Sequence, residues 1–261
     1  MSILLIDFET TSVNTKEARV IEIGARLVTD DLQQTIGIPM SHLVYAPDYP
    51  AITPEVERVT GISEAMLKAD GLEPMTAFKL LGNLVTPDLK YAIAYNSGYD
   101  QDVYKEEMYR HCLTLDANTN WLLTIPWLCG MGDIEKNYEF KSWRMAHVAL
   151  EHGCTVCLKD LHRAINDVDL MWDMLKRSGT TPQDMYAFQQ SPWVYAVAKV
   201  EKPWLDNGRS SDIAKANGFS FERARGDNSG RTFTKQWVIR LKQKNYDKLL
   251  TLPIQVEKVQ I

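Results

Sequence analysis

The amino-acid sequence predicts an α/β fold built on a mixed sheet, with a small α+β unit at its C-terminal end. Three observations carry this reading. Short apolar runs of strand length follow one another within the first 45 residues, strand and helix patterns then alternate, and the patterning restarts after Pro203.

Taken in order, residues 3–8 are an apolar run, 19–29 are apolar and β-branched, and 36–45 form a third such run. Polar turns at 12–17 and 29–34 separate them, which makes three sequential antiparallel strands. Helical patterns follow over 54–59, 63–68 and 73–85, then a strand at 91–95 and a helix over 99–112. A buried-looking run at 121–128 and helices over 141–152 and 161–176 complete a first domain, taken as residues 1–180. Gly179, Pro182 and Pro192 loosen the pattern, so 181–202 reads as a linker. Residues 203–261 then show a helix (210–216), two strands (219–225 and 232–241) around a Gly226-Asp227-Asn228-Ser229-Gly230 turn, a helix (246–252) and a last strand (254–259).

Composition narrows the class. Of 261 residues, 45% are hydrophobic and 24% charged, which disfavours disordered, collagenous and coiled-coil readings. No apolar run approaches the roughly 18 residues that span a bilayer, and Met1–Ile6 reaches Asp7 without a basic segment, so a cytoplasmic location and no membrane partner are expected. Four cysteines in a chain of this size make no disulfide framework. The net charge of −5 conceals an asymmetry. Residues 200–261 carry 12 Lys and Arg against 7 Asp and Glu, a net of +5, which leaves −10 on residues 1–199. An acidic body with a basic tail suits an enzyme that gathers metals in one domain and grips phosphates with another, although chance clustering of surface charge gives the same pattern.

Three groups of residues carry candidate chemistry. Asp7 and Glu9 stand at positions i and i+2 of a strand, on one face and about 6.6 Å apart. Such a pair is either solvated at a frayed strand end or holds a hard divalent cation. Asp100 stands just past the strand at 91–95 and at the start of a helix, where capping alone explains an Asp. Asp167 lies at the edge of an apolar helical stripe formed by Leu161, Ile165, Val168, Trp172 and Leu175. His162 would be rotated about 140° from Asp167 on a continuous helix, so a shared role requires it to precede the first full turn.

In this order the groups resemble the DEDDh branch of the DnaQ-like 3′→5′ exonucleases, whose motifs are Asp-x-Glu on the first strand, an Asp after a later strand, and His-x4-Asp on a late helix. Here they read Asp7-Phe8-Glu9-Thr10-Thr11, Asn96-Ser97-Gly98-Tyr99-Asp100 and His162 to Asp167. Val20-Ile21-Glu22-Ile23-Gly24-Ala25 looks like the family's second strand, and Ile52-Thr53-Pro54-Glu55 with Thr60-Gly61-Ile62-Ser63 looks like its helical segment. The resemblance spans about residues 3–178. It implies a ribonuclease H-like, mixed five-stranded sheet flanked by helices, with Asp7, Glu9, Asp100 and Asp167 as metal ligands and His162 as general base. Ser12 stands where many relatives have Gly and Asn96 where a His is frequent; neither removes a ligand.

The chemistry is consistent with that implication. Two cations about 3.5–4 Å apart neutralise a phosphodiester, activate water and stabilise the leaving oxygen. Oxygen ligands favour Mg²⁺ or Mn²⁺ over zinc, and two ions per site are expected. A neutral imidazole with a pKa near 6.5 accepts a proton near neutral pH. Thr10, Thr11, Ile62, Asn96 and Tyr99, adjacent to the motifs, are candidates for gripping the terminal nucleotide. In the tail, Arg209, Lys215, Arg223, Arg225, Arg231, Lys235 and Arg240 are candidate phosphate contacts, the other reading being a structural or oligomerisation domain. Cys154-x2-Cys157 is half a zinc site without a second pair. Trp193 and Trp204 are placed to stack bases, although a core position is expected for every tryptophan. The expected function is a metal-dependent 3′→5′ exonuclease that releases nucleoside monophosphates from single-stranded ends, with DNA favoured over RNA. An exoribonuclease trimming short or structured RNA is the enzymatic alternative. A non-catalytic nucleic-acid-binding subunit is the alternative of another class. No clear sliding-clamp motif is present, and a homodimer is left open.

Overall fold

The computed structural model describes residues 1–111, 117–132, 142–157, 161–222, 225–226, 232–233 and 236–260. In chain order its first part contains β1 (Ser2–Thr10), β2 (Val20–Thr29), β3 (Met40–Leu43), α1 (Pro54–Thr60), α2 (Glu64–Asp70), α3 (Pro74–Gly82), β4 (Leu89–Ala94) and α4 (Ser97–Arg110). There follow α5 (Ala117–Thr124), β5 (Trp127–Cys129), α6 (Met145–Glu151), α7 (Ala164–Ser178) and α8 (Pro182–Gln190). The sheet order is β3-β2-β1-β4-β5, with β1, β2 and β3 antiparallel and β4 and β5 parallel to β1. This is the mixed five-stranded sheet that the resemblance implies.

Strand β1 is buried on both faces, which is why residues 3–6 read as a continuous apolar run rather than an alternation. Leu4, Ile6 and Phe8 pack with Phe78, Leu81 and Tyr104 on one side. Ile3 and Leu5 pack with Val148, Val168, Met171 and Leu175, from α6 and α7, on the other. Asp7 and Glu9 continue the second of these faces by strand alternation.

Helix α7 is docked onto β2 by a small set of contacts. Glu22, wholly buried in β2, accepts from Arg163 Nε (3.0 Å) and Nη2 (2.7 Å) and from the Ala164 backbone N–H (3.0 Å). Gly24 makes the approach possible, because a Cβ there would lie 2.3 Å from the Ala164 carbonyl carbon and 2.4 Å from Ile165 N. One turn further along the helix, Arg26 pairs with Asp169 (2.6 Å) and lies over the Trp172 ring, whose Nε1 donates to the Leu32 carbonyl (2.6 Å).

Several boundaries differ from the sequence expectations. The third run is a strand only over Met40–Leu43. The run at 121–128 divides into the end of α5 and β5, with Pro126 between them breaking the helix. Helix α6 begins at Met145 rather than Lys141, which lies outside the described residues. Helix α7 begins at Ala164, so Leu161, His162 and Arg163 precede it.

The largest correction concerns the stretch expected to be a linker. Residues 182–190 are α8, and β6 (Trp193–Lys199) is an internal strand paired on both edges. The prolines that suggested a linker stand at the first position of α8 and immediately before β6, where a missing N–H is tolerated. Described residues up to Tyr186 form one unit and those from Ala187 onward a second. Beyond β6 the second unit holds α9 (Pro203–Asp206), α10 (Arg209–Ala216), β7 (Ser220–Glu222), β8 (Arg225–Gly226), β9 (Thr232–Phe233), β10 (Gln236–Lys242), α11 (Tyr246–Leu249) and β11 (Gln255–Gln260). Its antiparallel sheet has the order β11-β6-β10-β7, and Val194, Ala196, Phe219, Ile239 and Leu241 pack against Ala214 of α10 and Leu249 of α11. No helix among the described residues is long and apolar enough to cross a membrane.

The docking contacts set a stability prediction. Gly24→Ala forces α7 off β2 and should cost about 1–3 kcal/mol. Glu22→Gln leaves Arg163 without its counter-charge and should cost about 3 kcal/mol. Urea denaturation measures both, and a change below about 0.5 kcal/mol for each would show that the α7 junction is not a stabilising contact.

Candidate active site

The parallel pairing of β1 and β4 brings the C-terminal ends of these strands side by side, the position at which open α/β sheets carry their ligand sites. Asp7 and Glu9 project from the end of β1, and Asp100 lies in the first turn of α4, which leaves β4 after a two-residue turn. Asp167 reaches the same point from the first turn of α7. Asp100 and Asp167 retain only 4% and 8% of their surface.

His162 stands outside α7, as a shared role required. Its backbone is left-handed (φ 62°), an infrequent conformation for a residue with a Cβ. Its backbone N–H donates to Asp167 Oδ1 (3.3 Å), and the exposed imidazole presents a nitrogen to the acids. Donor atoms of Glu9, His162 and Asp167 all lie within 4.8 Å of one another.

The electrostatics of the cluster are dominated by loss of water, with repulsion from neighbouring acids added at Asp7 and Glu9. Burial and then the charges of Asp100, Glu9 and Asp167 hold the Asp7 carboxyl well above its ordinary range. Glu9 is pushed up to about 8 by burial, then by Asp167, Glu22 and Asp100, with Arg163 opposing. Burial raises Asp100 to about 7 against stabilisation by the backbone of Asp100 and Phe8. Burial likewise raises Asp167 to about 6, with His162 opposing. Arg163, the cation named in that balance, already donates to Glu22. The donor set is therefore rich in oxygen and lacks positive charge, which is the environment that fits a hard divalent cation.

A cleft of about 1040 Å³ opens over the acids. Its walls include Arg58 and Val59 of α1, Tyr95, Asn96 and Tyr99 at the β4–α4 turn, and Trp143, Arg144, Met145 and His147 at the start of α6. Tyr95 O–H donates to the Trp143 carbonyl (2.6 Å) and ties two of these walls together.

The nucleotide-gripping candidates are sorted by this geometry. Asn96 is exposed in the cleft and its side chain makes no capping bond. Tyr99 contributes its ring, but its hydroxyl donates to the Ser12 carbonyl (2.6 Å) and lies 2.6 Å from Thr10 Oγ1. Thr11 Oγ1 accepts from the Arg19 N–H (3.0 Å). Thr10 and Thr11 thus brace the turn after β1. Ile62 is wholly buried among Ile21 and Leu67, so the apolar residue expected at the nucleotide serves the core instead.

Of the basic candidates, Arg209 begins α10, Lys215 pairs with Asp212 (3.4 Å), and Arg240 lies over the Trp193 ring. Arg225 belongs to β8, while Arg223, Arg231 and Lys235 lie outside the described residues. The expectation that all tryptophans are core is corrected, since Trp121, Trp143, Trp193 and Trp204 are exposed. Cys154 is buried with its thiol raised to about 11, whereas Cys157 is exposed, and among the described residues neither joins a metal-ligand cluster.

Sequence reasoning gave no role to Glu22, Arg163, Arg58, Trp143 or Arg144. A carboxylate at the centre of the apolar run 20–25 was a usable signal for Glu22, since a buried charge needs a partner. The cleft-wall residues carry no such signal, because their approach is set by tertiary packing.

The raised acids fix the sign of a pH dependence. Glu9, Asp100 and Asp167 bind protons more tightly when folded (about 8, 7 and 6) than at their ordinary values of 4.5, 3.8 and 3.8. In metal-free protein this contribution to stability is complete below roughly pH 4 and is lost as pH rises toward 8, at about 1.4 kcal/mol per pH unit for each extra proton held. Millimolar Mn²⁺ should flatten the decline, and Asp7→Asn should make it shallower. Thermal melts from pH 4.5 to 8.5 in EDTA check this, and a flat metal-free profile would show that the carboxylates do not crowd one pocket.

Comparison with known proteins follows the same division of the chain. No curated protein sequence matches significantly. Among solved structures, exonuclease I in the study of how processivity is achieved aligns at 17% identity with a TM-score of 0.60, covering 78% of this chain and 50% of that one. E. coli exonuclease I with a dT13 oligonucleotide aligns at 17% identity and TM-score 0.59, covering 80% and 50%. The same enzyme with dA16 aligns at 16% and 0.61, covering 95% and 67%. The chain thus spans about half to two-thirds of the length of these proteins, and the likeness is one of fold. The exonuclease family model (RNase T) matches residues 4–172, the stretch that holds every candidate ligand, and the chain belongs to this exonuclease family, with its DnaQ-like, ribonuclease H-like fold.

Proposed function

We propose that the chain is a metal-dependent 3′→5′ exonuclease that releases nucleoside monophosphates from single-stranded ends, preferring DNA. The observation that carries this reading is the convergence of Asp7, Glu9, Asp100 and Asp167 with an exposed His162 at the floor of an open cleft. Membership of the exonuclease family and the oligonucleotide complexes of E. coli exonuclease I support it.

Asp7, Glu9, Asp100 and Asp167 would hold two Mg²⁺ or Mn²⁺, which when bound neutralise phosphate charge and stabilise the attacking and leaving oxygens. The residues of the chain supply the remaining requirements. His162, outside the helix and open to solvent, takes the proton of the attacking water, and the Asp167–His162 backbone bond keeps it at the acids. The Glu22 clamp on Arg163 and Ala164 fixes the backbone on which both are carried. Arg58 and Arg144 of the cleft wall would meet phosphate charge, Arg58 exchanging its exposed partner Glu55 for it, and Asn96 would hydrogen-bond the terminal nucleotide. Trp143 and Tyr95 give the cleft aromatic wall on which a base stacks.

Purified protein with Mn²⁺ should shorten a 5′-labelled single-stranded DNA stepwise from its 3′ end. Shortening of RNA only would assign the exoribonuclease reading, and binding without shortening would assign the binding-subunit reading. His162→Ala should lower kcat by roughly 10²–10⁴-fold while the Mn²⁺-induced rise in Tm persists. Undiminished turnover at neutral pH would remove His162 from the role of base.

A further inference from the structure

The second unit carries aromatic surface that its own core does not use. Phe221 on the edge strand β7 is 46% exposed, and its ring lies 5.5 Å from that of Trp237 on β10. Trp204 and Leu205 of α9 are 74% and 66% exposed. Phe221 and Trp237 line a cavity of about 680 Å³, whose margin includes Lys202 and Lys215. The Lys215 ammonium is 5.8 Å from the Trp237 ring centre, and that of Lys202 is 5.4 Å from the Trp204 ring.

An edge strand with a bare phenylalanine is a liability unless something covers it, and exposed aromatic clusters mark interaction surfaces. Charge identifies the occupant. Residues 200–261 carry a net +5; the cavity is lined by Lys199, Lys202 and Lys215 against Glu201 and Glu257, of which Glu257 is paired with Lys199 (2.5 Å), and Asp212 of α10 pairs with Lys215 (3.4 Å). Aromatic faces interleaved with ammonium groups match a polymer of alternating bases and phosphates, because rings take bases by stacking and lysines take the backbone. The cavity volume lies within the range of about 300–1,000 Å³ of small-molecule pockets and is ample for a nucleobase.

From this arrangement we infer that Phe221, Trp237 and Trp204, with Lys202 and Lys215, form a sequence-independent site for single-stranded nucleic acid within the second unit itself. The inference rests on the exonuclease reading for its polymer, and it gives that polymer a holding site besides the cleft over the acids. Such a site raises affinity for long strands and leaves the chemistry on the shortest substrates unchanged.

The test uses the full chain in EDTA with fluorescein-labelled dT20, read by anisotropy across a salt series. Trp204→Ala/Phe221→Ala, both at exposed positions, should weaken binding at least 10-fold with an unchanged circular dichroism spectrum. Lys202→Glu/Lys215→Glu should reduce the magnitude of the log–log salt slope by about 1.4, the value for two lost phosphate contacts on a single strand. With Mn²⁺ restored, turnover of a dinucleotide should stay within about twofold of wild type in both variants. Unchanged dT20 affinity in the aromatic variant would overturn the inference. Loss of a dimer in sedimentation velocity without loss of dT20 affinity would assign the surface to a second copy of the chain and overturn it as well. Wild-type protein that binds dT20 through these residues yet cleaves neither DNA nor RNA would sustain this site and remove the exonuclease reading.

Discussion

The withdrawal of four neighbouring carboxylates from water is the constraint on which the site in the first unit depends. Asp7, Glu9, Asp100 and Asp167 are drawn from water and toward one another, and their pKa values all rise as a result. Such a cluster persists only on a scaffold stable enough to oppose it. The parallel β1–β4 pair supplies one half, with strand interiors wholly buried on both faces. The junction of α7 with β2 supplies the other. There a fifth carboxylate, Glu22, is neutralised by the bidentate Arg163 and by a backbone N–H, and Gly24 lets the two backbones meet.

Glu22 and Asp7 therefore show two outcomes for a partly or fully buried acid. Glu22 is buried with its charge met by the Arg163 guanidinium and the Ala164 N–H. Asp7 is withdrawn from water without such partners among the described residues and faces like charges, so its carboxyl is held well above the ordinary range. The arrangement separates cations that build the structure from those that line the cleft. Arg163, Arg26 and Arg110 have close carboxylate partners, whereas Arg58, 4.0 Å from exposed Glu55, and Arg144 stand in the cleft wall. Arginines beside an acidic floor suit the polyanionic ligand of the proposed function.

Much of this was legible in the sequence because local pattern and chemistry agree along it. Position alone leaves the pair Asp7 and Glu9 readable as a solvated strand end and Asp100 as a helix cap; the order of the three motifs and its resemblance to the DEDDh pattern make them, with Asp167, candidate ligands, and they stand on β1, α4 and α7. The rotation argument makes a role shared with Asp167 conditional on His162 preceding the helix, and α7 begins two residues after it rather than at Leu161. What remained hidden depends on tertiary packing. Ile62 lies beside a motif but faces the core, the hydroxyls of Thr10 and Tyr99 brace a turn, and Trp143 reaches the cleft because Tyr95 holds its carbonyl. Strand β6 was masked by flanking prolines, even though Val194 to Val197 reads as strand once the prolines are seen to punctuate its start.

The central claim is that the four acids together form one divalent-cation site, and calorimetric titration of Mn²⁺ tests it without any substrate. Run at pH 7 in buffers of different ionisation enthalpy, the titration reads both the number of ions and the protons displaced. Two ions per chain with measurable proton release, and loss of at least one ion together with part of that release in Asp100→Asn, is the predicted result. Binding without proton release, or an Asp100→Asn isotherm indistinguishable from wild type, would contradict it.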